Sequence, residues 1–257
     1  MNILVPLDGS ELSESALICA QQIAEERQAE VFLLHVTPHY ASLAPAMPPA
    51  MVLELQERDQ VRAADYLAAA QQRFPPNRVH PLAPMGRPVE EIAQVAGREK
   101  CDLIIMNSHG REGMARWLLG SVAEGVLRSS PCPLLLLRPK TLPTGRYQHI
   151  LVPVDGSAAS LQVVHKIEPF VAPGGKVTLL QCSQVAANPG NFRMGMEEAE
   201  RYMARKEEDL RKVRVEGLQV EAHLLQGEPA EVILNWSQAN GCDLIAMSTH
   251  GRSGFRL

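Results

Sequence analysis

The chain has 257 residues, 46% of them hydrophobic and 21% charged, with a formal net charge of −4. That is apolar material for one large domain or two ordinary ones, and neither the charge nor any run of Lys or Arg suggests a nucleic-acid surface. No apolar run nears the roughly 18 residues of a membrane helix, and the start MNILVPLDG lacks the features of a secretory signal.

ILVPL at the start is an apolar run that ends in Asp8-Gly9-Ser10, a strand feeding a turn. Ser10 is placed to cap the next helix, with Glu11 and Glu14 near its positive end. Leu12, Ala16, Ala20, Ile23 and Arg27 mark one face of that helix, with Leu17 and Ala24 beside it. VFLLHV is the second strand, a proline-bearing connection follows, and 51–73 has helical composition. RVHPLAPM carries two prolines, so as a strand it belongs at an edge. Pro88 opens a helix, DLIIM is a buried strand, MARWLLGSVAEGVLRSS is mostly helix, and CPLLLLRP is a last apolar strand.

The same series then recurs. NILVPLDGS returns as HILVPVDGS, VFLLHVT as VTLLQCS, MGRPVEEI as QGEPAEVI, and KCDLIIMNSHGREG as GCDLIAMSTHGRSG. The match of Asp8 to Asp155 and of Cys101 to Cys242 makes the second copy about six residues shorter in its middle, a duplicated domain rather than a solenoid. The expected division is a first domain over 1–139, a Pro/Gly linker over 140–148 and a second domain over 149–257. Strands that are almost wholly apolar and alternate with helices predict an α/β fold, a doubly wound parallel sheet covered on both faces. The second copy stops at Leu257, level with residue 116 of the first, so it is expected to lack the last helix and strand. Cys19, Cys101, Cys132, Cys182 and Cys242 are odd in number, widely spaced and free of C-x-x-C, which reads as reduced thiols in the cytosol.

Sheets of this class bind ligands outside the carboxyl ends of their strands. The stretches to inspect are therefore Pro6–Ser10, His35–Thr37 and Met106–Ser121. In the last of these, Asn107-x-x-Gly110 is followed by nine residues and then Gly120-Ser121. Glycines let backbone N–H groups approach an anion, and the Ser121 hydroxyl with the N–H groups of Val122 and Ala123 at a helix start would bind one. An equal reading makes Ser121-x-x-Glu124 a capping box with no ligand at all. Asp8 and Asp155 either face a sugar hydroxyl or magnesium ion, or bond their own turn. His109 and His250 read first as structural donors, and Arg111 and Arg252 as phosphate partners or idle loop residues. There is no G-x-G-x-x-G after the first strand, no P-loop, no nucleophile elbow and no metal-ligand spacing.

Taken together, ILVPLDGS, LLHV, DLIIMNSHGREG and RWLLGSVAEGVLRSSPCPLLLL resemble the universal stress protein family, here as a tandem pair. The resemblance implies strand order 3-2-1-4-5, a cytoplasmic location and homodimers or pseudo-dimers, with LLLL at Leu134–Leu137 as the expected seam. It implies ATP with magnesium as ligand in many members, and no general catalysis beyond slow hydrolysis. Carried over, Val36 presents backbone to adenine, flanked by Pro6 and Leu7, and Asp8 lies beside ribose and phosphates as the candidate magnesium contact. Met106 and Asn107 lie near the nucleoside, with His109 and Arg111 in the same loop; Gly110, Gly120, Ser121 and Val122 cradle phosphate. Asn107 departs from the family's glycine and is expected to crowd the ribose. The second copy offers Pro153, Val154, Asp155, Cys182, Met247, Ser248 and Gly251, expected to form a degenerate site. The competing reading is an ATP-independent interaction scaffold with a vestigial pocket.

Overall fold

The computed structural model describes residues 1–40, 47–108, 119–138, 145–183, 201, 204–205, 208 and 215–248. The chain divides into two compact units, Met1–Gly145 and Arg146–Leu257.

Unit 1 holds strands β1 (Asn2–Pro6), β2 (Glu30–Leu34), β3 (Val79–Leu82), β4 (Leu103–Asn107) and β5 (Leu134–Leu137). They form one sheet in the order β3-β2-β1-β4-β5, with every neighbouring pair parallel. Its central strands are apolar on both sides because both faces are covered: Ile3, Leu4 and Val5 are all fully buried. Pro81 sits within β3 and is tolerated there because β3 is an edge strand.

Helix α1 (Glu11–Arg27) begins where the sequence indicates: the Ser10 hydroxyl accepts from the Ser13 N–H at 3.1 Å. It buries Ser13, Ala16, Leu17, Cys19, Ala20, Ile23 and Ala24, while Leu12 is half-buried and Arg27 exposed. Helix α2 (Pro49–Gln71) starts on Pro49 and fully buries only Ala63, Leu67 and Ala70, all in its second half. Helix α3 (Pro88–Arg98) likewise starts on a proline, and α4 (Ser121–Ser129) packs beside it. The close approach of α3 and α4 needs Gly125, since a Cβ there would lie 2.6 Å from a methyl of Val89. Leu4, Leu34, Ile104 and Met106 form a core with Ile92, Val95 and Ala96 of α3 and Ala123 and Val126 of α4. Fully burying a side chain of this size is worth about 1.5–3 kcal/mol.

Unit 2 holds β6 (Tyr147–Val154), helix α5 (Ala158–Lys166), β7 (Val171–Ser183), β8 (Gln219–Gln226), helix α6 (Pro229–Ala239) and the short β9 (Leu244–Ile245). Among the described residues its sheet has four strands in the order β8-β7-β6-β9, again parallel, which follows the first sheet's order β3-β2-β1-β4. Strand β6 starts at Tyr147, so Tyr147 and Gln148 belong to the sheet rather than to the expected linker. No helix among the described residues is long and apolar enough to cross a membrane.

Candidate functional site

The strand order of unit 1 reverses direction at β1, whose neighbours β2 and β4 lead to opposite halves of the sheet. A crevice at the carboxyl ends of β1 and β4 follows from that reversal.

Two segments, the exits of β1 and β2, border it on one side. The Leu7 N–H donates to Leu34 C=O at 2.8 Å, after which the chain turns away. Gly9 makes that turn at φ 81°, and the Asp8 carboxylate holds it by accepting from the Ser10 N–H at 3.0 Å and the Ser10 hydroxyl at 2.6 Å. The structural reading of Asp8 as a turn former is therefore realised, through Oδ1. Beyond β2, the His35 and Thr37 N–H groups donate to Leu82 and Pro84 of the β3 side at 3.0 and 2.9 Å. Neighbouring residues of an extended chain point their backbone groups in opposite directions. Val36, between them, therefore turns its N–H and C=O toward the β1 side, where β1 has already turned off.

Sequence reasoning missed what His35 does. Its Nδ1 lies 2.9 Å from Leu7 C=O, and a carbonyl only accepts, so Nδ1 carries the proton and ties the β2 exit to the β1 exit. The ring also meets Tyr66 of α2 edge-on at 5.4 Å. Thr37 is 2% exposed and is pinned by Gln60 of α2, whose amide donates to its hydroxyl at 2.7 Å. Polar residues inside apolar strands were the available signal for both contacts.

The other side begins after β4. Ser108 donates its N–H to Leu137 C=O at 2.9 Å and accepts the Gly120 N–H at 2.8 Å, so the connection returns to the strand it left. Gly120, not Ser121, is the N-cap of α4, in extended conformation. Ser121 is the first helical residue and makes no capping bond among the described residues, and Glu124 pairs instead with Arg128 at 2.6 Å. The capping-box reading is thereby excluded. The first intrahelical bond runs from the Glu124 N–H to Gly120 C=O at 2.8 Å, so the N–H groups of Ser121, Val122 and Ala123 precede the helical ladder. They carry the helix's partial positive charge, which favours an anion.

The other expected residues fall out as follows. Pro6 ends β1, and Leu7 is buried. The Met106 side chain packs in the core, so only its backbone reaches the crevice edge. Asn107 is 5% exposed and directs its amide to α1, donating to the Ser15 hydroxyl at 3.0 Å and to Leu12 C=O. His109, Gly110 and Arg111 lie outside the described residues. In unit 2, Pro153 and Val154 are buried and Asp155 accepts from the Ser157 N–H at 2.9 Å. Cys182 stands at the position of Val36, its thiol pKa pushed up by burial. Met247 is exposed and Ser248 half-buried, while Gly251 lies outside the described residues. Among the described residues, no three His, Cys, Asp or Glu side chains cluster to hold a metal.

These features define a doubly wound α/β protein, repeated in tandem. Comparison with known proteins gives the same class. The model of the universal stress protein family matches residues 1–138 and again 146–256. A universal stress protein of Methanocaldococcus jannaschii is 32% identical over 138 residues, covering 53% of this chain and 81% of that protein. One of Thermus aquaticus is 34% identical over 139 residues, covering 53% and 97%. A crystal structure of a universal stress protein from Archaeoglobus fulgidus is similar over 95% of this chain and 85% of that one. Its TM-score is 0.67 and its identity 20%, a likeness of fold. The chain belongs to the universal stress protein family and carries two copies of its domain.

Proposed function

We propose that unit 1 binds an adenine nucleotide, ATP with magnesium, and that the protein is a cytoplasmic stress-response module read out through that ligand rather than an enzyme. The observation that supports this reading is that the His35 and Thr37 N–H groups donate to the β3 side, which by strand alternation turns the N–H and C=O of Val36 toward the end of β1. A donor beside an acceptor on one extended residue matches adenine, which offers an exocyclic amine to the C=O and a ring nitrogen to the N–H. Guanine presents an acceptor where adenine has its amine and mismatches both groups.

The N–H groups of Ser121, Val122 and Ala123, which precede the first intrahelical bond of α4, would supply the phosphate end. The donor set suits a nucleotide better than a bare cation, so magnesium would arrive with the phosphates. Asp8, already bonded to Ser10 through Oδ1, would meet the ribose or that ion. Unit 2 keeps the Asp155 turn and places Cys182 at the adenine edge; we read it as the weaker site. The outer edge of β5, lined by Leu134–Leu137, is the seam we propose for a homodimer.

The competing scaffold reading draws on one observation: the Asp-Gly-Ser turn satisfies its own bonds without a ligand. Denaturing the purified chain and quantifying released adenine nucleotide, before and after incubation with ATP and magnesium, separates the two. About one nucleotide per chain supports the proposal. None, together with no saturable binding at millimolar ATP, replaces it with the scaffold.

A further inference from the structure

Asn107 occupies the place of a glycine in the nucleotide-binding pattern, and a side chain there is expected to obstruct. Its orientation says otherwise. Side chains alternate between the two faces of a strand, and those of Ile104 and Met106 pack under α3 and α4. Asn107 therefore points to the opposite layer, which is where α1 lies. There its Nδ2 donates to the Ser15 hydroxyl at 3.0 Å and to the Leu12 carbonyl. The Ser15 hydroxyl in turn lies 3.0 Å from Leu12 C=O and 3.3 Å from Asn107 Oδ1. A buried amide whose Nδ2 finds two acceptors on a neighbouring helix holds its backbone as firmly as a core side chain does.

The residue held is the neighbour of the loop-closing peptide. Ser108 follows directly, and its two backbone groups bind Leu137 at 2.9 Å and Gly120 at 2.8 Å. Through Gly120 it meets the cap of α4. One continuous series of bonds thus runs from the first turns of α1, through Asn107 and Ser108, to the helix start whose N–H groups point at the crevice.

We propose that Asn107, supported by Ser15, is a positioning residue for the phosphate end of the site: it anchors the exit of β4 to α1 and so aims the first N–H groups of α4. This rests on the reading that α4 receives phosphate. Glycine at 107 would leave the exit of β4 without that anchor, and this chain supplies it with an amide.

The test uses the full chain and the variants Asn107→Gly, Asn107→Ala and Ser15→Ala. Binding of ATP with magnesium and of adenosine is measured for each, together with hydrogen exchange at the Gly120 amide. Losing one to two hydrogen bonds weakens ATP binding about fivefold to tenfold in both Asn107 variants and about twofold to threefold in Ser15→Ala, with adenosine changed less than about twofold. Exchange at Gly120 accelerates while the amides of Ile3–Val5 keep their protection. ATP binding that tightens or stays level in Asn107→Gly overturns the proposal and makes the side chain an obstruction. Equal loss for ATP and adenosine also overturns it, since that is general destabilisation. Should an Asn107 variant not fold, Ser15→Ala decides, because it alters no residue of the crevice. Absence of ATP binding by the unaltered chain ends the nucleotide reading alone; the anchor then stands or falls on Gly120 exchange in Asn107→Ala and Ser15→Ala.

Discussion

The two units repeat one turn almost atom for atom and differ just beyond it. In unit 1 the Ser13 N–H reaches the Ser10 hydroxyl at 3.1 Å and Gly9 has φ 81°; in unit 2 the Ser160 N–H reaches the Ser157 hydroxyl at 3.1 Å and Gly156 has φ 81°. The aspartates, too, accept from the serine N–H groups at 3.0 and 2.9 Å. Past the turn the likeness ends. His35, tied to Leu7 C=O, is replaced by Gln181, whose Oε1 is buried without a hydrogen-bond partner among the described residues, and Val36 is replaced by Cys182. What both copies share belongs to starting a helix after the first strand. What differs falls on the edge of the proposed nucleotide site.

The largest test of that division is in the cores. Leu4 and Leu151 are equivalent and both fully buried. Replacing either with Ala is expected to cost about 2–5 kcal/mol in denaturant unfolding. Gly125→Ala comes next: the crowding against Val89 outweighs the roughly 1 kcal/mol gain in helix propensity, for a net loss of about 1–2 kcal/mol in unit 1. Asp8→Ala removes the bonds from the Ser10 N–H and hydroxyl, and Asp155→Ala the bond from the Ser157 N–H; each should lower stability by about 1 kcal/mol. Calorimetry with ATP sharpens the comparison: the Asp8 change is expected to weaken binding, and the Asp155 change to leave it nearly intact.

The smallest effect is a pH dependence confined to unit 2. Asn2 ties the start of β1 to Glu99 C=O through its amide at 2.8 Å. His149 does the equivalent job at β6, its Nδ1 3.1 Å from Asn240 C=O and its Nε2 3.0 Å from the Thr178 hydroxyl. Burial, opposed by the Asn240 carbonyl, holds the His149 ring below its ordinary value of 6.5. The folded chain then binds fewer protons at this ring than the unfolded chain does, so its contribution to stability is full at neutral pH and shrinks as pH falls through and below 6.5. His149→Asn, copying unit 1, is expected to flatten that dependence in unfolding curves taken between pH 7.5 and 5. Thiol reactivity gives a parallel check, because burial pushes Cys101 up to about 12 and Cys242 up to about 11. Neither should be alkylated in the folded chain at neutral pH, where the thiolate is scarce.

The fold was legible because its cues are local: apolar strands, a serine cap, prolines at helix starts and a repeat that displays them twice. Pro81 even placed β3 at the edge. In the proposed site, the residues governed by a backbone rule, Val36 and the start of α4, are the ones the sequence could name. It could not show where a side chain finds a distant partner. Ser15 and Asn107 are 92 residues apart, and no spacing rule connects them. His35 and Leu7 meet only because β1 and β2 are neighbours. The choice of Gly120 over Ser121 as cap turned on loop closure by Ser108, which no capping pattern encodes.

The most direct test of the central claim is to titrate ATP with magnesium into the full chain and follow backbone amide resonances. Saturable shifts at Val36, Ser121, Val122 and Ala123, fitting a single site, are the predicted result. Unmoved resonances at those four residues up to millimolar ATP would contradict the account.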